Sequence, residues 1–379
     1  MKKINMIKIP FLRPNLVKQD TFTDYLSQIE KSRMYSNYGP LNTLFENRVL
    51  INYFRGNGAA VTVSNATIGL ILAINQHKRP KGKIALMPSF TFSATPLAAM
   101  WCGLEPYFID INEDDWCMNE QLVKEALEKL GDKAAVVIPY ATFGTDLDLH
   151  FYKQLDESGI PVVFDAAPSF GTTGDNGSFG SDFSGFVVFS FHATKSFGIG
   201  EGGLVYSADT DLIQQLRRAG NFGFSTNRET ISQGLNSKLS EYSAAIALAT
   251  LDAFPEKMRQ RQQIYQWYCE QFQQNPILKN EWQLQKITGE VAHQFMPVLC
   301  PKDQRGSDYV KLLADNYIEA RTYFSPSCHQ QHFFISCNRT LMPVTDNISE
   351  RILSLPLWEG MKKNDIEEIT KILARGLKQ

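Results

Sequence analysis

From residue 59 onward the chain alternates short apolar, β-rich runs with longer stretches of helical composition. The apolar runs are Ala59–Ser64, Lys83–Pro88, Pro106–Ile111, Ala134–Tyr140 and Pro161–Asp165. Between them lie Ala66–Gln76, Ser93–Trp101, Glu120–Leu130 and Asp148–Glu157. A strand that is apolar at every position is covered on both faces, and crossover-length helices between such strands imply parallel pairing. The pattern predicts an α/β fold with a mostly parallel central sheet flanked by helices. Ligands of such a sheet bind at the carboxyl ends of its strands.

The rhythm changes after Asp165. A Gly/Ser-rich loop from Gly171 to Gly185 leads into the run Phe186-Val187-Val188-Phe189-Ser190-Phe191-His192, and Leu204-Val205-Tyr206-Ser207 follows soon after. Two strands this close leave no room for a crossover helix and predict an antiparallel pair. Beyond about Pro255 the sequence turns polar and Gln-rich, with helices expected over Glu256–Phe272 and Asn364–Leu373. That shift predicts a small C-terminal α+β domain at 251–379 beside a large domain at 1–250.

Composition narrows the class. In 379 residues, 38 Lys and Arg stand against 40 Asp and Glu, a net charge of −2, so nothing electrostatic favours nucleic acid or an anionic membrane as partner. The six cysteines (Cys102, Cys117, Cys269, Cys300, Cys328, Cys337) form no C-x-x-C pair and read as reduced thiols. Met1–Met6 is basic but lacks the apolar stretch of a secretory signal. The helical run Ile68–Ile74 stops at Asn75, far short of a bilayer span. A cytoplasmic protein is expected, with no membrane and no nucleic acid among its partners.

Two motifs fail on context, and two others are absent. Gly198-Ile199-Gly200-Glu201-Gly202-Gly203 matches G-x-G-x-x-G, but a dinucleotide fingerprint must open a helix, and these glycines run into a strand. Cys328-His329-Gln330-Gln331-His332 lacks a fourth ligand at zinc-finger spacing, so no metal site is predicted. Neither G-x-S-x-G nor a Walker A sequence occurs.

Two chemical groups remain. Asp165 ends one strong strand, and Lys195 lies just beyond another, next to a glycine-rich turn. If those strands are neighbours, an acid and an amine meet at one sheet edge; otherwise Lys195 is a solvated loop lysine and Asp165 a turn cap. The first arrangement suits pyridoxal phosphate chemistry. A lysine forms the Schiff base with the aldehyde, and a carboxylate keeps the ring nitrogen protonated.

At these residues the sequence resembles the DegT/DnrJ/EryC1/StrS family of fold-type-I, pyridoxal-phosphate-dependent sugar-nucleotide aminotransferases. Ser36-Asn37-Tyr38-Gly39-Pro40 with Phe45-Glu46 is similar to the family's N-terminal element, and Val63-Ser64-Asn65-Ala66-Thr67 to its V-S-S-G-T turn. Pro88-Ser89-Phe90-Thr91-Phe92-Ser93-Ala94-Thr95, Asp165-Ala166-Ala167 and Ser190-Phe191-His192-Ala193-Thr194-Lys195 resemble three further motifs in the right order. Gly234-Leu235-Asn236-Ser237-Lys238 and Leu353-Ser354-Leu355-Pro356-Leu357 continue the resemblance to the end of the chain.

The resemblance implies roles residue by residue. Lys195 would carry the cofactor and move a proton, Asp165 would pair with the pyridinium nitrogen, and Phe92 would stack on the ring. Ala66, Thr67 and Ser190 would hold the phosphate of pyridoxal 5'-phosphate. Asn236 would reach the phosphate of the neighbouring subunit, which implies a homodimer with shared active sites. Lys238, also from the partner, is a candidate for an anionic group of a substrate, or a solvated surface lysine. The implied substrates are L-glutamate and a nucleotide-linked keto sugar, most like dTDP-4-keto-6-deoxy-D-glucose. GDP- or UDP-linked sugars, a 3-keto sugar, a sugar dehydratase and a cofactor-binding regulator are the alternatives. The segment Thr322–His332 is expected to form part of the nucleotide-sugar pocket. One position departs from the family: Pro168 stands where a glutamine usually donates a hydrogen bond to the cofactor's ring hydroxyl, and proline has no such donor. His192 occupies a family position, as either an orienting or a reacting group.

Overall fold

The computed structural model describes residues 7–377, so Met1–Met6 lies outside the described residues. The expected strands form at Ala59–Val63 (β1), Ile84–Pro88 (β2), Glu105–Ile109 (β3), Ala134–Val137 (β4) and Val163–Asp165 (β5). A two-residue hairpin, Thr173–Gly174 (β6) and Gly177–Ser178 (β7), precedes Phe186–Ser190 (β8) and Gly203–Ser207 (β9). The sheet order is β1-β9-β8-β5, continued through the parallel bridges Val137–Val162 and Tyr140–Asp165 to β4-β2-β3. At the far edge Asn338–Arg339 (β12) pairs parallel with β3. Within this sheet every pairing is parallel except those of β9, which runs antiparallel to both β1 and β8. The short β8–β9 connection allows nothing else.

Alternation along the strands explains why both faces are apolar. In β8, Phe186 and Val188 point into a core with Leu70, Ala98 and Leu216, while Val187 and Phe189 point into one with Phe45, Phe164 and Leu248. Successive strand residues face opposite sides, so a sheet with helices on both sides needs an unbroken apolar run. The helices Ala66–His77, Ala94–Trp101 and Thr210–Ala219 cover the first face. Pro40–Phe54, Glu120–Leu130, His150–Glu157 and the start of Glu241–Gln274 cover the other.

The helix expected at Glu256–Phe272 begins fifteen residues earlier, at Glu241, and runs 34 residues to Gln274. Its Ala-rich opening favours helix, and Ser240 caps it by accepting a hydrogen bond from the Ser243 amide at 3.0 Å. The compositional shift at Pro255 marks a change of core rather than an element boundary. Ala244 to Phe254 pack under the large sheet, whereas Ile264, Tyr268 and Phe272 belong to a second core. That core is built on an antiparallel sheet of Gln283–Leu284 (β10), Met296–Leu299 (β11) and Ile352–Leu355 (β13), with the helices Gly306–Asp315 and Lys363–Arg375.

Two segments cross between the units. Ile9 packs in the second core, and Trp358 Nε1 donates to the Pro10 carbonyl at 2.9 Å. Cys328, Phe334 and Met342 return to the large core beside β12. We retain 1–250 and 251–379 as a proposed division, with the long helix shared and these two segments exchanged. Among the described residues, no helix is long and apolar enough to cross a membrane.

Candidate active site

Register across the sheet sets the geometry. Asp165 lies opposite Val188, so the end of β5 stands beside β8 two residues before Ser190. Ser190 lies opposite Gly203, and Gly203 lies opposite Val63. The three strand ends Val63, Gly203 and Ser190 therefore form one ledge. Beyond Val63 the chain turns directly into the helix Ala66–His77, whose cap Asn65 accepts a hydrogen bond from the Ile68 amide at 3.0 Å. The first amides of a helix have no intrahelical partner, and those of Ala66 and Thr67 find no other among the described residues. A Cβ at Gly203 would sit 3.0 Å from the Ala66 nitrogen, so glycine keeps the ledge open. Ser190 is buried, and its hydroxyl accepts from the His192 amide at 3.3 Å.

After β8 the chain folds back on itself before entering β9. Ala193 N donates to Gly200 O at 2.7 Å, Lys195 N to His192 O at 2.9 Å, and Ile199 N to Phe191 O at 2.9 Å. Gly200 adopts a left-handed φ of 106°, which only glycine takes without strain. These glycines form a turn into a strand, as their context indicated. The turn presents Lys195, whose Nζ donates to Gln294 Oε1 at 3.2 Å. Burial lowers the Lys195 pKa to about 8, against an opposing pull from the Asp165 carboxylate. The shift favours the neutral amine, the form that can act as a base.

Asp165 is 3% exposed. Its Oδ2 accepts from Thr95 Oγ1 at 2.6 Å and its Oδ1 from the Ala167 amide at 3.1 Å. Burial raises its pKa, and the Thr95 and Ala167 hydrogen bonds and the Lys195 charge oppose the rise. Tyr140 is buried alongside, its phenol pushed up first by burial and then by the Asp165 charge.

These residues fit pyridoxal phosphate. A buried carboxylate held by two donors still lacks a contacting cation, which a protonated ring nitrogen supplies. Unpaired helix amides beside an open glycine ledge suit a phosphate. Phe92, 59% exposed on the loop before the helix Ala94–Trp101, is an unusually bare aromatic face.

The structure brings Asp165 and Lys195 within each other's field and gathers Ala66, Thr67 and Ser190 on one ledge. Asn236 is exposed and uses its Oδ1 on the Lys238 amide at 3.4 Å, in a loop bridged to Asn221. Pro168 is buried without a side-chain donor. Cys328 and His329 are tied into the fold: the thiol reaches the Thr91 carbonyl, and His329 spans Ser89 Oγ at 2.6 Å and Asp346 Oδ1 at 3.0 Å. Sequence reasoning assigned no role to Thr95, Tyr140 or Gln294. Thr95 had a signal, as the last residue of the Pro88–Thr95 motif, but Gln294 lies 99 residues from Lys195 and had none.

Neighbouring strands that deliver a carboxylate and an amine to one end of a parallel sheet define a fold-type-I pyridoxal phosphate enzyme. Residues 17–374 match the DegT/DnrJ/EryC1/StrS aminotransferase family, and the chain belongs to it as a pyridoxal-phosphate-dependent aminotransferase. A crystal structure of a Bacillus cereus protein proposed to be such an aminotransferase superposes with a TM-score of 0.95 at 51% identity, covering 96% of this chain and 99% of that one. The structure of DesI, determined in the presence of its TDP-sugar product, gives 0.85 at 31% identity, over 96% and 91% of the two chains. The dTDP-4-amino-4,6-dideoxy-D-glucose transaminase of Escherichia coli is 27% identical over 379 residues, 96% of this chain and 98% of its own.

Proposed function

We propose that this enzyme moves an amino group from L-glutamate to a nucleotide-linked keto sugar. Its preferred acceptor is dTDP-4-keto-6-deoxy-D-glucose, giving dTDP-4-amino-4,6-dideoxy-D-glucose for surface polysaccharide, and it works in the cytoplasm. The observation that carries the reading is the Asp165–Lys195 pair beside the Gly203 ledge. Similarity to DesI and to the E. coli transaminase over nearly the whole chain supports the dTDP-sugar assignment.

Bound pyridoxal phosphate supplies an electron-accepting ring that carries the amino group between the two substrates. Asp165 would accept the ring's N–H, with Thr95 fixing the carboxylate's orientation. The Ala66 and Thr67 amides and the Ser190 hydroxyl would hold the phosphate. Phe92 would cover one ring face. Lys195 would hold the aldehyde and, once displaced by substrate, its neutral Nζ would carry a proton between the substrate carbon bearing nitrogen and the cofactor's aldehyde carbon. The segment Thr322–His332 borders this space: Phe324 packs 6.5 Å from Phe92, and Gln331 Oε1 accepts from Ser93 Oγ at 3.2 Å. That contact supports its place in the sugar-nucleotide pocket.

We propose a homodimer in which Asn236 completes the phosphate site of its partner. Support comes from exposed apolar groups around the Asn236 loop: Phe222, Ile231, Tyr35 and Tyr242, the last two with rings stacked at 6.1 Å. Lys238 sits over the Phe222 ring at 4.6 Å.

The test is a panel of dTDP-, GDP- and UDP-linked 4-keto and 3-keto sugars, with glutamate as donor and product mass as readout. Amination of the dTDP-4-keto sugar at C4 is expected. Preference for another nucleotide or carbon overturns the acceptor assignment. A cofactor absorption band that glutamate leaves unchanged overturns transamination in favour of a dehydratase or regulator.

A further inference from the structure

The Lys195 amine is held by a residue from a distant part of the chain. Gln294 lies in the turn before β11, on the side of the second core. Its Oε1 accepts from Lys195 Nζ at 3.2 Å, and its Nε2 donates to Thr194 Oγ1 at 3.4 Å. The amide thus clasps two consecutive residues of the lysine turn through both ends of one planar group. Thr194 Oγ1 is itself tied to His192 Nδ1 at 2.9 Å.

The backbone behind Gln294 is fixed with comparable care. Arg261 Nη1 donates to the carbonyls of His293 at 2.8 Å, Leu357 at 3.3 Å and Gln294 at 3.4 Å. Its Nε pairs with Glu359 Oε1 at 2.7 Å, with both side chains buried. His293 stacks on Tyr265 with ring centroids 3.9 Å apart, and burial beside Arg261 depresses its pKa to about 3, so the imidazole stays neutral. Gln294 is therefore presented by a turn that Arg261 ties down through its backbone, beside an imidazole that stays neutral.

We infer that Gln294 is a positioning residue for the Lys195 amine, a carbonyl acceptor that orients Nζ without putting a formal negative charge against it. The inference rests on Lys195 being the reacting amine. A carboxylate at this position would hold the amine as an ammonium ion, whereas an apolar side chain would leave Nζ free to rotate. The charged and titratable groups facing the amine are few. Asp165 approaches from β5 with Tyr140 behind it, and His192 and Glu201, 3.6 Å apart, lie on the lysine's own turn. An amide from the opposite side orients the amine and adds the weak pull of a dipole to that of Asp165, not a second negative charge.

The experiment uses the full chain freed of cofactor. The rate of Nζ acetylation by trace acetic anhydride is followed against pH by peptide mass spectrometry, with Lys83 as internal reference. Gln294→Glu is expected to raise the Lys195 midpoint by about a pH unit or more, a fall in labelling at pH 8 of roughly fivefold or greater relative to Lys83. Gln294→Leu is expected to lower it, and Thr194→Val to shift it in the same direction by less. Wild-type midpoints in all three variants, or in whichever of them fold, overturn the inference. Borohydride trapping of added pyridoxal phosphate on the wild-type chain separates the two readings. Label on another lysine overturns the role of Lys195 itself, while label on Lys195 with unmoved midpoints overturns only that of Gln294.

Discussion

Thr95 Oγ1 donates to Asp165 Oδ2 at 2.6 Å and lies 2.9 Å from Thr91 Oγ1. A hydroxyl has one proton, so Thr95 spends it on the carboxylate and Thr91 must be the donor to Thr95. The two threonines form a directed chain that ends on a buried anion. Removing the terminal donor leaves that anion short of a partner. Thr95→Val is expected to destabilise the cofactor-free protein by about 1.5–3 kcal/mol, as for other hydrogen bonds to charged groups. Thr91→Val, which spares the bond to Asp165, should cost less. Urea unfolding at pH 7 measures both, and equal losses would contradict the direction of the chain.

Lys195 links stability to pH. Its pKa falls from an ordinary 10.5 to about 8 in the folded chain, because burial disfavours the charged form. The unfolded chain thus takes up the lysine's proton first as pH falls. The stability this residue contributes is complete above its unfolded pKa and is lost as pH drops through about 8. Relative to a Lys195→Met variant, the cofactor-free wild type should gain stability between pH 8 and 10.5. Parallel pH profiles for the two proteins would show that the amine is not desolvated.

Gly203 keeps open the ledge proposed to hold phosphate. A Cβ there would lie 2.8 Å from the Phe189 carbonyl oxygen and 3.0 Å from the Ala66 nitrogen. Gly203→Ala should cost about 1–3 kcal/mol of stability through overpacking. It should also weaken retention of pyridoxal phosphate roughly tenfold, about 1.4 kcal/mol. Unphosphorylated pyridoxal, which does not use the ledge, should lose much less. Equilibrium dialysis with both compounds separates a blocked phosphate site from general damage.

The Arg261–Glu359 pair is buried on both sides, with side chains 6% and 4% exposed. Arg261→Met strands a carboxylate and releases the carbonyls of His293 and Leu357, so a loss of about 3–5 kcal/mol is expected. Arg261→Lys restores the charge but not the fork that reaches several acceptors, and should fall between the two. Denaturant midpoints rank the three proteins, and a lysine variant as stable as wild type would reduce the arginine to a simple counter-charge.

The large sheet was legible because both its faces are covered, so β8 carries five apolar or small residues in succession and announces itself. Asp165 and Lys195 were legible as strand-end residues of unusual type. The N-terminal helices Thr23–Ser32 and Pro40–Phe54 were not read, since Pro40–Phe54 is apolar at positions that mark no single stripe. The long helix was read from Glu256 because its first turns are Ala-rich and buried, and buried helix lacks the polar face that reveals periodicity. Gln294 could not be read at all. Its meaning comes from an Arg261 anchor and a lysine turn that only tertiary packing brings to it.

The crossing of Ile9 and Pro10 into the second core bears on how the molecule is made. Ile9 bridges to Ile318, Pro10 receives the Trp358 indole N–H, and Lys8 pairs with Glu368. During synthesis these first residues emerge more than 300 residues before the partners that fix them. The N-terminal segment therefore cannot dock until translation is nearly complete, and no single cut in the chain yields two fragments that each hold a whole core.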